Sequence, residues 1–218
     1  MAKKVLIFDL DGTLIDSLKD IALSTNDVLT NLGFETYSID EYKKFVGNGA
    51  KELVKNAMPR GMSEEEIQKA LLMFKEIYGN KIHNNTKPFR GIYEMLDSLQ
   101  KGGYVFGLLS NKPHKFTLQY MDKFFKDYNF EQISGQKDDI PRKPDPTSAK
   151  MMAKAFDVEA NSIYYIGDTK TDMKTATGAG FIPIGVLWGY QDKNILVESG
   201  AKYIVSSPKE LQELLLLA

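Results

Sequence analysis

The sequence predicts an α/β protein: a Rossmann-like open parallel sheet with a small α-helical domain inserted after the first strand. Three observations carry this. Five short apolar runs, rich in Val, Ile, Leu, Phe and Tyr, are nearly continuous rather than alternating, as in parallel strands covered on both faces. Helical patterns separate the later runs, and strands alternating with helices make an open α/β sheet. From Ser17 to Asn85 no strand pattern occurs and helical spacing takes over.

The first run is VLIFDL (5–10). Leu18, Ile21, Ala22, Thr25, Leu29 and Leu32 then share one helical face, and Gly33 is a stop. Ser38–Glu41 and Ser63–Glu66 read as capping boxes, the second opening a helix with Ile67, Ala70, Leu71, Phe74, Ile77 and Tyr78 in register. HNNTKP after it reads as a hinge. The strands resume with YVFGLLS (104–110), SIYYIGD (162–168), FIPIGVL (181–187) and YIVSS (203–207). Between the first two, PTSAKMMAKAF is helical, with Asp145 as expected N-cap and Pro146 in the first position. Ser207–Glu210 is a third capping box, opening the last helix. The expected division is a core of residues 1–16 and 86–218 and a helical domain of residues 17–85.

Composition narrows the function. The 218 residues are 43% hydrophobic, enough for a sizeable core. Lys and Arg number 28 against 29 Asp and Glu, a net charge of −1 that draws the chain to neither nucleic acid nor a membrane surface. Cysteine is absent, which removes disulfides, thiolate catalysis and thiolate-bound zinc. No segment approaches the ~18 unbroken apolar residues of a membrane helix. The basic-apolar start MAKKVLIFDLDG meets Asp9 too early for a secretion signal, so the expected location is cytoplasmic. The expected form is a monomer or homodimer acting on a small molecule.

Ligands of open α/β sheets bind beyond the C-terminal ends of the strands. Asp9 and Asp11 stand at the first such end, Ser110 and Asn111 at the second, and Asp168 at the third, with Asp172 four residues on. If these strands are neighbours, several carboxylates share one pocket and need compensation. An all-oxygen site suits Mg2+, and Lys143, in the proline-stiffened PRKPDP, supplies a second positive charge. The chemistry that needs such a set is phosphoryl transfer: a carboxylate attacks phosphorus, a second acid serves the leaving group, and cations neutralise the phosphoryl oxygens. Two positions apart on a strand puts Asp9 and Asp11 on one face, or nearly so if the chain turns. Gly12 permits a sharp turn that aims amides at a phosphate, Thr13 follows in it, and Ser110 and Asn111 add donors. His83 and His114 lack partners at metal-ligand spacing and read as solvated; Trp188 and Tyr190 read as packing residues.

Asp9-Leu10-Asp11-Gly12-Thr13, Ser110-Asn111, Lys143-Pro144 and Gly167-Asp168 with Asp172 together resemble, in order, the four motifs of the haloacid dehalogenase superfamily. The resemblance implies that fold, with Asp9 as nucleophile, Asp11 as general acid/base, and Ser110 and Lys143 holding the phosphoryl group. It implies magnesium on Asp9, the backbone carbonyl of Asp11 and Asp168, with Asp172 supporting. The second aspartate is similar to the phosphatase and mutase branches, whose helical insert is a mobile cap. Gly47-Asn48-Gly49 resembles the cap loop of phosphoglycolate phosphatases that meets the substrate, and Leu187–Tyr190 is similar to that branch. Arg90 stands where the family usually has proline. The implied function is a Mg-dependent phosphatase for a small phosphomonoester resembling 2-phosphoglycolate. A β-phosphoglucomutase-like mutase, an inorganic pyrophosphatase and a non-catalytic phosphate-binding interaction module stay open.

Overall fold

The computed structural model describes residues 3–81 and 83–217. β1 (Lys4–Phe8) is followed by the short β2 (Ile15–Asp16), then helices α1 (Leu18–Asn31), α2 (Ala50–Ala57) and α3 (Glu64–Lys81). β3 (Lys87–Pro88) pairs antiparallel with β2, so the chain leaves and re-enters the sheet body side by side. The remainder alternates: α4 (Ile92–Lys101), β4 (Tyr104–Pro113), α5 (His114–Phe125), β5 (Phe130–Gln136), α6 (Thr147–Phe156), β6 (Tyr164–Gly167), α7 (Lys170–Ala179), β7 (Ile182–Val186), α8 (Lys193–Glu198), β8 (Tyr203–Val205) and α9 (Pro208–Leu216).

Among the described residues the main sheet has six parallel strands in the order β5-β4-β1-β6-β7-β8. The three expected motif-bearing strands, β4, β1 and β6, are therefore adjacent. In β1, Val5 and Ile7 pack on one face with α6 and α7 residues such as Met152 and Ala176, while Leu6 and Phe8 pack on the other with Leu96 and Leu211. Burial on both faces is why the run is continuously apolar. The second cluster continues through Leu10, Leu14 and Ile15 into Leu18, Ile21, Leu53 and Phe74, so the helical segment and the sheet body share buried surface.

The expected boundaries shift in places. β1 stops at Phe8, before Asp9, whereas β4 runs on to Pro113 past a break in register after Leu109. Thr147 opens α6 and Pro146 holds the cap position, while Asp145 Oδ1 accepts from Thr147 N at 2.9 Å. At α9 the cap is Ser207, but Glu210 reaches back to Ser206 N (2.7 Å) instead of closing the box on Ser207. Ser63 and Glu66 form their box reciprocally at 2.8 and 3.3 Å. Glu41 accepts from Ser38 N at 2.8 Å, but the element that follows is a 3-10 turn over Asp40–Lys44. β5, FEQISGQ, is unforeseen: an edge strand, only half covered, lacks the apolar run of a central one. No described helix is long and apolar enough to cross a membrane.

The segment Asn85–Thr86 is tied to α1 by Asp20, which is 2% exposed. Its carboxylate accepts from Asn85 N (3.0 Å), Asn85 Nδ2 (2.7 Å), Thr86 N (2.8 Å) and Thr86 Oγ1 (2.7 Å). Those bonds hold the carboxyl below its ordinary value despite burial. Asp20→Ala strands these donors, and unsatisfied buried donors cost about 1–3 kcal/mol each. A stability loss of about 2–4 kcal/mol is expected, read as a lower urea midpoint.

Candidate active site

The site forms beyond the C-terminal ends of β4, β1 and β6. After β1 the chain folds into a tight turn in which Thr13 N, Leu14 N and Ile15 N all donate to Leu10 O, at 3.3, 2.9 and 3.0 Å. Asp9 and Asp11 are thus carried by a loop and not by one strand face. Gly12 N donates to Ile15 O at 2.9 Å, so the amide expected to face a ligand is engaged inside the turn. Gly12 is needed for two other reasons. Its φ is +89°, and a Cβ there would lie 2.2 Å from Asp168 Oδ2.

Lys143 is the hub. Its Nζ shares three N–H donors among four oxygens within hydrogen-bond distance, Asp9 Oδ1 (2.8 Å), Asp172 Oδ1 (2.7 Å), Leu109 O (2.9 Å) and Tyr165 Oη (3.0 Å). Burial works against its charge, yet Asp172 and Asp9 hold it protonated well above its ordinary value. Burial drives the Asp9 carboxyl up to about 7, against the pull of Lys143 and with the push of Asp172. Burial, with Asp172 and Asp9, also raises Asp168 well above the carboxylate range.

Asp168 accepts from Thr13 Oγ1 at 3.0 Å and from Tyr190 N at 2.9 Å. It does not cap α7. Thr169 does, in a reciprocal box with Asp172, whose Oδ2 accepts from Thr169 N at 3.0 Å. Both oxygens of Asp172 are therefore engaged, one by Lys143 and one by its own helix start.

Ser110 is buried beside a cavity of about 60 Å³, which Asp9, Asp11, Asn111, Gly47 and Gly49 also line. Its Oγ accepts from Lys112 N at 3.2 Å, and its own hydroxyl hydrogen can be offered to the cavity. The amide of Asn111 is committed elsewhere. It donates to Lys143 O and Gly47 O, both at 3.0 Å, and accepts from Lys143 N at 2.9 Å. Asn111 thus locks the lysine loop and seats the 47–49 turn. Asn48 turns away from the cavity and accepts from Thr171 Oγ1 at 2.9 Å.

Several contributors were not anticipated. Lys112 pairs with Asp11 through both carboxylate oxygens, at 2.9 and 3.1 Å. Ser17 Oγ donates to Asp11, and Tyr165 supports Lys143. A Cβ on Gly189 would lie 2.2 Å from Asp168 Cβ, so the 188–190 turn closes over that carboxylate only as glycine. Trp188 Nε1 donates to Thr13 O at 2.9 Å, which adds a hydrogen bond to its packing role. The one sequence signal was local: SNKP puts a second lysine beside the Ser110-Asn111 pair. The histidines are half-buried and not solvated. His114 Nδ1 accepts from Gly135 N at 3.1 Å, and His83 packs edge-on against Tyr120, ring centres 4.5 Å apart.

Asp9, Asp168 and Asp172 each offer an oxygen within 4.8 Å of the others. Fully ionised, Asp9, Asp11, Asp168 and Asp172 carry four negative charges against the two cations in hydrogen-bond contact with them among the described residues, Lys112 and Lys143, an excess of two that without a metal raises Asp9 and Asp168 toward their protonated forms. The donor set is all oxygen, and the deficit equals the charge of one divalent cation. The residues present therefore fit a hard divalent metal.

Residues 6–186 match the family described as haloacid dehalogenase-like hydrolase. A curated relative from Pseudomonas fluorescens, named phosphoglycolate phosphatase, is 31% identical over 95% of this chain and 78% of its own length. Another of that name, from Vibrio parahaemolyticus, is 28% identical over 96% of this chain and 95% of its own. A crystal structure from Lactobacillus delbrueckii subsp. bulgaricus superposes with a TM-score of 0.90 at 27% identity, covering 98% of both chains. The adjacent strand ends with their carboxylates, and a family match spanning most of the chain, lead to one assignment: this protein is an enzyme of the haloacid dehalogenase-like hydrolase family.

Proposed function

We propose that this enzyme is a cytoplasmic, Mg-dependent phosphatase for a small phosphomonoester of the 2-phosphoglycolate kind. Residues 1–16 and 86–218 are its catalytic core and residues 17–85 a cap over the active site. The observation that carries the reading is the floor of the cavity. Asp9 lies there with one oxygen held by Lys143 at 2.8 Å, and Asp11 lines the same space. Asp9 attacks phosphorus as the ester P–O bond breaks, and Asp11 gives its proton to the leaving oxygen. Asp11 then takes a proton from water as that water attacks phosphorus, breaking the bond to Asp9 and releasing phosphate. Ser110 and Lys143 hold the phosphoryl oxygens. Asp9, Asp168 and the backbone carbonyl of Asp11 would hold the metal, with Asp172 behind them. Bound there, it would neutralise phosphoryl charge.

The cavity wall from 17–85 supports the substrate class. Ile21, Val46, Leu53 and Phe74 are apolar, and the Tyr78 hydroxyl is already bonded to that of Tyr120 at 2.8 Å. A sugar ring would leave its hydroxyls unpaired against this wall. That disfavours the mutase reading, and a small cavity favours a small leaving group.

The test is phosphate release, with magnesium and with chelator, from 2-phosphoglycolate, glucose phosphates, nucleotides and pyrophosphate. The expected result is magnesium-dependent release with kcat/KM for 2-phosphoglycolate at least about 10-fold above the others. Isomerisation of a glucose phosphate without net release would establish the mutase instead.

A further inference from the structure

We propose that Lys112 is the residue that selects the leaving group, by binding a carboxylate carried on it. The inference rests on the phosphatase reading and names the chemistry of the ester's other end. Among the described residues lining the cavity, Lys112 is the sole cation. Its side chain is 4% exposed, so its charge acts in a nearly dry site. The ammonium lies 4.8 Å from the ring centre of Tyr78 and 5.0 Å from that of Tyr120. Those two hydroxyls bond each other at 2.8 Å, which fixes both rings and so the position of Nζ. One ring belongs to α3 and the other to α5, so the ammonium is gripped between the helical segment and the sheet body.

An ammonium has three donors. Asp11 accepts through its two oxygens, at 2.9 and 3.1 Å, leaving a donor for a ligand in the cavity. Reach fits as well. Asp11 serves the ester oxygen, and Nζ lies one hydrogen bond beyond it. In a phosphorylated 2-hydroxy acid the carboxylate oxygens stand roughly 2.5–3.7 Å from the ester oxygen by ordinary bond lengths. That span places them at Nζ when the ester oxygen is at Asp11. Of the other donors on the wall, Ser110 is assigned to the phosphoryl group, the Asn111 amide is engaged by Lys143 O and Gly47 O, and the Tyr78 hydroxyl by Tyr120; Ile21, Val46, Leu53, Phe74 and Phe116 are apolar. The class selected is therefore a short 2-hydroxy acid phosphate, in preference to an uncharged ester of the same size.

The experiment compares 2-phosphoglycolate with 2-hydroxyethyl phosphate, which replaces the carboxylate by CH2OH, in wild type, Lys112→Met and Lys112→Gln. The quantity read is the ratio of the two kcat/KM values, with KM and kcat resolved. Wild type is expected to favour the carboxylate ester by about 10–100-fold, the size of a charge-assisted hydrogen bond. Lys112→Met is expected to bring the ratio to within about 3-fold of unity, mainly through KM for 2-phosphoglycolate. Lys112→Gln, which keeps a donor but not the charge, gives the same answer if the methionine variant does not fold. Equal losses on both esters in a folded variant would overturn the proposal, since Lys112 would then act only by holding Asp11. A wild type without preference would overturn it too, while leaving the phosphatase reading intact. Hydrolysis of neither ester by wild type would overturn both.

Discussion

Asp9→Asn is expected to lower kcat by at least about 10⁴-fold, the scale of removing a nucleophile that acts as part of a unit. The amide is nearly isosteric but cannot attack phosphorus as a carboxylate does. Stability should move the other way in the absence of metal. Burial holds the Asp9 carboxyl up at about 7. With the folded-state value raised, ionising the group costs stability as pH rises from about 4 through 7. Asparagine removes that cost, so the metal-free variant should melt at or above wild type at pH 8, and the difference should vanish near pH 4. Loss of Lys143's bond to Asp9 is tolerable because Asp172 still accepts at 2.7 Å. Phosphate release gives the first result and thermal melts the second. A folded variant with near wild-type turnover would sink the mechanism.

Lys143→Met should cost the most stability. It removes the cation that touches both Asp9 and Asp172 and takes a donor from Tyr165 Oη, while Leu109 O keeps only the Tyr165 hydroxyl at 3.1 Å. Removing one partner of a buried ion pair costs about 3–5 kcal/mol, because the remaining charge is uncompensated. The sign of the pH dependence follows. Without the lysine, the Asp9 carboxyl, already raised by burial, rises further above its unfolded-chain value. The deficit is then smallest at low pH, where the Asp9 carboxyl is neutral in the folded state, and grows through pH 7. Urea melts at pH 4, 6 and 8 read this directly, and a deficit independent of pH would show that the lysine acts by packing alone. On the proposed mechanism the variant is also inactive, since Lys143 holds Asp9 Oδ1 at 2.8 Å.

Much of the architecture was legible because burial on both faces writes an unbroken apolar run. β6, β7 and β8 lie within expected runs, β4 begins with one and β1 starts one residue before its own, and capping chemistry marked the starts of α3 and α9. β5 left no such mark, because Glu131, Gln132, Ser134 and Gln136 break up its apolar residues. The turn after β1 was also illegible in detail: Asp-Gly announces a turn but not that one carbonyl, Leu10 O, gathers three amides.

The sequence by itself determined that four carboxylates and a serine stand at or just beyond strand ends, that a lysine sits in a proline-stiffened loop before a helix, and that a helical stretch interrupts the sheet after its first strand. Only the tertiary structure decided which of them meet. The Lys143–Asp9 pair spans 134 positions and the Lys112–Asp11 pair 101. It also decided that Asn111 serves the Lys143 backbone, that Asn48 faces Thr171, and that Gly189 exists to let a turn close on Asp168. Periodicity reports that a side chain is buried and on which face. It carries no record of direction or partner, and a charge in a dry site is defined by its partner.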